Sequence, residues 1–203
     1  MKNNHTKLQQ VPTTQHDSRA RRTALTALMV SLALIFSYIE FLIPFTPAIP
    51  GIKLGIANLV IIVALYYLGP RYALTVNIVR VLIAGLLFSG VFGAAYSMAG
   101  ALLSFLVMVL LKKTGLFSVT GISIAGGVAH NLGQILVASF LVSNLKMFAY
   151  FPVLIFSGVA SGAAIGIISW TIINVITGKA KEKKISPLMY VLTVLFILKY
   201  VCL

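Results

Sequence analysis

Long apolar runs, parted by short segments that hold nearly all the charge, leave this chain one kind of fold. A helix needs about 20 mainly apolar residues to cross a hydrocarbon core of about 30 Å. Within that core only helices and closed barrels satisfy their own backbone polar groups. The runs here are of helix length, at residues 24–42, 54–68, 72–88, 92–111, 122–142 and 151–176. With 60% hydrophobic residues and a mean hydropathy of +1.03, the 203 residues leave no material for a separate soluble core. The sequence predicts an all-α integral membrane protein built as a six-helix transmembrane bundle.

The boundaries follow from punctuation. Residues 1–22 are polar and basic and read as a cytoplasmic leader, and residues 23–178 are the membrane domain. Pro44, Pro47, Pro50 and Gly51 mark an ordered turn after the first span, since proline neither donates to a helix ladder nor favours helix before it. The second span is short and stops at Gly69-Pro70-Arg71. Residues 179–203 form a basic linker, with Lys179, Lys181, Lys183 and Lys184, and a hydrophobic tail. The tail, 188–203, reads as an additional membrane-associated helix.

Orientation comes from the cations. With the N-terminus inside, twelve Lys and Arg fall on the cytoplasmic side and two, Lys53 and Lys146, outside. That asymmetry satisfies the positive-inside rule and predicts a multi-pass protein of the cytoplasmic membrane with both ends of its core inside. The same distribution explains the net charge of +13 as a response to lipid headgroups, not to nucleic acid.

Scarcity of acids excludes much chemistry. Asp17, Glu40 and Glu182 are the only carboxylates, far apart in sequence, so there is no local candidate for an aspartate-rich Mg²⁺–diphosphate site or a two-carboxylate hydrolase. The single cysteine, Cys202, precludes an intrachain disulfide and a Cys-based metal cage. No cofactor or metal is expected. The absence of a Gly-rich phosphate loop means that any ATP hydrolysis must come from another chain.

Polar residues at membrane depth are functional candidates by default. Lys53 follows a Pro-Gly turn at the outer mouth, and Asn58 lies a turn further in. Arg80 is deep in the third span, with Asn77 one turn before it. In the fifth span His130 and Gln134 share one helix face, adjoined by Asn131, and such a cluster is expected to line a polar cavity. Glu40 reads as an interfacial residue or a partner of Lys53 across the loop.

Small residues mark close helix approach. Gly158, Gly162 and Gly166 form one stripe on the sixth span, and Gly93, Ser97 and Ala101 another on the fourth. Both read first as packing within the bundle. Ala20, Ala24, Ala27 and Ser31 on the first span are the candidate for docking a partner subunit.

At these residues the chain resembles a known family. The runs PGIKLGIANL, VNIVRVLIAGLLFSG, YSMAGALLS and GGVAHNLGQ look like those of the Gx transporter family, whose members are often labelled heptaprenyl diphosphate synthase component I. The resemblance spans about residues 22–178. That family is related to the substrate-binding S-components of energy-coupling factor (ECF) transporters. It implies a six-helix S-component that captures a small molecule near the outer helix ends and works with a membrane T-component and two ATPases. Small residues on the first helix would dock the T-component, and Lys53 and Asn58 would fit the outer site. Arg80 and His130 fall deeper or nearer the cytoplasm on this count. The cations favour an anionic ligand such as a flavin or a quinone- or isoprenoid-pathway precursor. The alternative is an accessory membrane subunit of heptaprenyl diphosphate or quinone biosynthesis. A self-contained secondary transporter is disfavoured by the lack of a membrane carboxylate pair. Synthase activity is not expected of this chain itself, since the clustered aspartates it needs are missing.

Overall fold

A computed structural model of the chain describes residues 15–42 and 55–178. It is helical throughout these segments: α1 is Gln15–Leu42, α2 Ile56–Tyr67, α3 Pro70–Phe88, α4 Gly90–Thr114, α5 Val119–Val142 and α6 Phe151–Ile176. A 3₁₀ turn, Leu145–Tyr150, leads into α6. Lys53, the loop around it, and the linker and tail beyond residue 178 lie outside the described residues.

Local chemistry explains most of the helix ends. Pro70 occupies the first turn of α3, where its missing N–H is not needed. Gly115 closes α4 in the left-handed region, at φ 69°, and Ser118 then caps α5 by accepting a hydrogen bond from the Gly121 amide at 3.1 Å. At the start of α1 the structure departs from expectation. The helix begins at Gln15, inside the segment read as a leader. Residues 15–23 hold no Gly or Pro to stop it, and Arg and Ala favour helix.

Five helical stretches are long and apolar enough to cross a membrane, at 19–42, 70–88, 90–114, 119–142 and 146–176. Their large outward side chains, among them Leu87, Phe92, Phe140 and Phe156, are exposed, as a hydrocarbon solvent requires. The chain is a multi-pass helical membrane protein. α2 is different: its 12 residues rise only about 18 Å. It is apolar on all sides and is the most enclosed helix, with Ala57 and every residue from Val60 to Leu65 buried, which is what all-round hydrophobicity demands.

α2 packs on α1, α3 and α6, while α3, α4, α5 and α6 follow one another side by side. The core cluster gathers around it: Ala33 of α1, Val76 of α3, Phe105 and Met108 of α4, Ile122 of α5 and Ile165 of α6. Its C-terminal end is tied down by Lys112 of α4, whose ammonium donates to the Leu65 carbonyl at 2.6 Å and sits 4.5 Å from the centre of the Tyr66 ring. A cation on the orphan carbonyls of a helix end is favourable both as hydrogen bond and as charge.

The glycine stripe of α6 packs on α5. A Cβ on Gly158 would meet the Gly127 backbone at 3.0 Å, one on Gly162 the Ile124 backbone at 2.7 Å, and one on Gly166 the Thr120 backbone at 2.7 Å. On its other flank α5 meets α4 in the same manner, Gly133 against Ala99 and Gly100. Helices that approach this closely gain dispersion contact, the main attraction available between them in lipid.

Candidate functional site

Polar residues from every helix meet at one cavity of about 60 Å³, whereas Asn77 and Gln134 stand behind its walls. Its walls come from all six helices: Glu40 of α1, Asn58 of α2, Arg80 of α3, Ser97 of α4, His130 and Asn131 of α5, and Ser161 of α6. It lies toward the end of the bundle where α1 and α3 finish and α2 and α6 begin.

Arg80 is the centre of the polar network. One guanidinium nitrogen, Nη2, donates to Asn77 Oδ1 at 3.1 Å and to Asn58 Oδ1 at 3.4 Å. Nε is buried without a hydrogen-bond partner among the described residues. Asn77, one helical turn before Arg80, is itself fixed by donating to the Ala101 carbonyl at 3.1 Å. An amide suits this position because it offers a donor to one helix and an acceptor to the arginine at once. Asn77 thus binds α3 to α4 and aims Arg80 toward α2.

Glu40 completes the charge distribution. Its Oε1 accepts a hydrogen bond from the Gly55 amide at 2.6 Å, immediately before α2. Gly55 is in the left-handed region, φ 70°, with no side-chain cap, so the carboxylate of α1 serves the start of α2 in place of a local cap. A negative group there also matches the helix dipole. Its charge acts on Arg80 across the same cavity. Glu40 is therefore a cavity residue, and the pairing with Lys53 expected across the loop falls outside the described residues.

The fifth-helix cluster is divided by the helix turn. His130 and Asn131 line the cavity, and Asn131 is anchored by donating to the Leu154 carbonyl of α6 at 2.7 Å. Gln134 is 1% exposed and is not among the cavity walls. It packs against Gly100 of α4, and its Nε2 has no hydrogen-bond partner among the described residues. Arg80 and His130 are not set apart from Asn58 by depth. The long arginine side chain closes the distance along α3, and His130 stands about midway along α5 in the same wall.

A smaller void of about 20 Å³ adjoins the cavity through Asn58, Gly127 and Ser161. Ser104 and Ser123 add hydroxyls to it, and Ser123 Oγ is buried without a partner among the described residues. The void is large enough for about one water, which would satisfy that hydroxyl. Ser97 entered the sequence reading only as a member of a small-residue stripe, and Ser161 was not singled out among its neighbouring glycines. A hydroxyl among glycines on a lumen-facing stripe is the signal that marks them.

Ala20, Ala24, Ala27 and Ser31 are all exposed along α1, away from the cavity. The Ser31 hydroxyl folds back onto the Ala27 carbonyl at 3.1 Å, so the face presented there is smooth and nearly apolar. Among the described residues no three of His, Cys, Asp and Glu gather as metal ligands.

Neither the curated proteins nor the solved structures contain a match to the chain. The model of one protein family does match, over residues 29–172, which covers all six helices from within α1 to within α6 and every cavity residue named above. The chain belongs to the family described as heptaprenyl diphosphate synthase component I.

Proposed function

We propose that the chain is a substrate-binding membrane subunit, the S-component of an ECF-type ATP-driven transporter, which holds a small polar molecule in the cavity around Arg80. One observation carries this reading: six helices each contribute to one polar cavity, centred on a membrane arginine whose partners are neutral amides and whose buried Nε–H has no partner among the described residues. Ionisable groups in hydrocarbon are costly and persist where they serve a pathway or ligand. The subunit performs no chemistry of its own. Its exposed α1 stripe receives the T-component, two ATPases supply the energy, and the basic segments place the N-terminus in the cytoplasm.

The family description favours a second reading, a membrane component that accompanies a heptaprenyl diphosphate synthase. Partners separate the two. Cross-linking in native membranes, followed by identification of captured proteins, yields ATPases with a T-component in the first case and a soluble prenyl synthase in the second.

The ligand reading has its own test. Native mass spectrometry of the gently purified protein should show a retained small molecule that Arg80→Gln loses and that exposed Lys113→Gln keeps. Equal retention by both variants overturns the site.

A further inference from the structure

The cavity carries both signs of charge, and neither is neutralised by a local fork-to-fork contact. Arg80 engages two amide oxygens through Nη2, and its buried Nε–H has no hydrogen-bond partner among the described residues. Glu40 accepts the Gly55 amide through one carboxylate oxygen, Oε1, and makes no ion pair with Arg80 among the described residues. Both residues line the same space, with Asn58 between the elements that carry them.

A lone arginine in such a cavity would select an anion. Here an anion meets the field of Glu40, and its arrival leaves the site with an excess negative charge in a medium that screens poorly. A lone cation meets the reverse problem at Arg80. A molecule with both charges satisfies both walls.

We propose that the ligand class is a small zwitterion, its acid group against Arg80 and its ammonium against Glu40, a refinement that rests on reading the cavity as a ligand site. The neutral side chains of Asn58, Ser97 and Asn131 would then contact the body of the molecule. A cavity of about 60 Å³ has room for roughly four to six waters, which suits a compact charged molecule and not a prenyl chain.

The test uses the full-length protein in lipid nanodiscs with glycine, β-alanine and γ-aminobutyrate as zwitterions of increasing charge spacing. Propionate and propylammonium are the single-charge controls. Calorimetry should find at least one zwitterion bound about tenfold or more tightly than either control. Glu40→Gln keeps an acceptor for the Gly55 amide, so the fold survives. It should weaken the zwitterion about tenfold while propionate binds no worse. Arg80→Gln should weaken the zwitterion and leave propylammonium no worse.

Propionate binding as well as every zwitterion overturns the proposal, as does a Glu40→Gln variant that binds the zwitterion unchanged. If none of the five probes binds, the charge of the co-purified molecule decides. A zwitterion supports the proposal, and a molecule of single charge overturns it while leaving the ligand site standing. Absence of any bound molecule removes the site itself, and the proposal with it.

Discussion

Asn77 shows how much one buried amide does in this bundle. It donates to α4, accepts from Arg80, and is 3% exposed. Asn77→Ala should destabilise the protein by about 1 kcal/mol, the scale of an interhelical hydrogen bond in lipid, measurable by unfolding in mixed micelles. Arg80→Lys keeps the charge, but an ammonium lacks the planar fork that lets one nitrogen hold two amides while the others face a ligand. Retained ligand should fall about tenfold by titration, whereas the unfolding midpoint should move little. The sequence displayed part of this arrangement: Asn77 and Arg80 lie at the spacing of one turn, and a membrane arginine announces itself. Glu40 was harder to place because its partner, Gly55, belongs to another helix and its cavity is assembled from six. Its rarity was still informative, since a carboxylate inside an apolar run carries the same presumption as Arg80.

At the scale of elements, α5 is defined by what it lacks. A Cβ on Gly127 would come within 2.5 Å of the Gly158 carbonyl oxygen, so Gly127→Ala must push α5 and α6 apart. We expect a loss of about 1–3 kcal/mol in unfolding measurements, as for other overpacked contacts. Gly121→Ala is the matched control, because its new methyl meets nothing closer than 3.5 Å and removes a flexible residue from the same helix. It should be neutral or stabilise by up to about 1 kcal/mol. The spacing of Gly158, Gly162 and Gly166 made the stripe legible, but not which helix it faced. Proline and glycine marked most boundaries, and the sixth span was located to the residue. The beginning of α1 was missed because hydrophobicity locates the membrane, whereas a helix continues into water until its sequence stops it.

For the whole molecule, the alternation of basic and neutral ends predicts which loops face which side. Single cysteines near Lys146 and near Lys113, both exposed, should react with an impermeant reagent from opposite sides of intact cells, the first from outside. Labelling of Lys113 from outside overturns the orientation. The α1 face is tested by Ala27→Trp, whose indole blocks close helix approach. Capture of membrane partners should drop severalfold with the unfolding midpoint unchanged, since Ala27 is exposed and is not among the cavity walls. The bundle itself was readable from the apolar runs. The enclosure of α2 was not, because a short run reads alike whether it spans, dips in or is wrapped by neighbours.

The close backbone contacts also divide the molecule mechanically. α4, α5 and α6 touch main chain to main chain, and Gly85 brings α3 against Ala94 of α4 in the same way. Beside packed side chains such as Met108 against Gly126 and Gln134 against Gly100, such joints hold α3 to α6 together as one plate. Where Gly55 at the start of α2 meets α6, the neighbour is only the tip of the Ile165 side chain, which yields easily. Outside those joints stand α1 and α2, the latter tied to α4 through Lys112. Those helices carry Glu40 and Asn58, while Arg80 rides on the plate. A molecule that gripped both charges, as proposed, would act as a clasp between α1 and that plate.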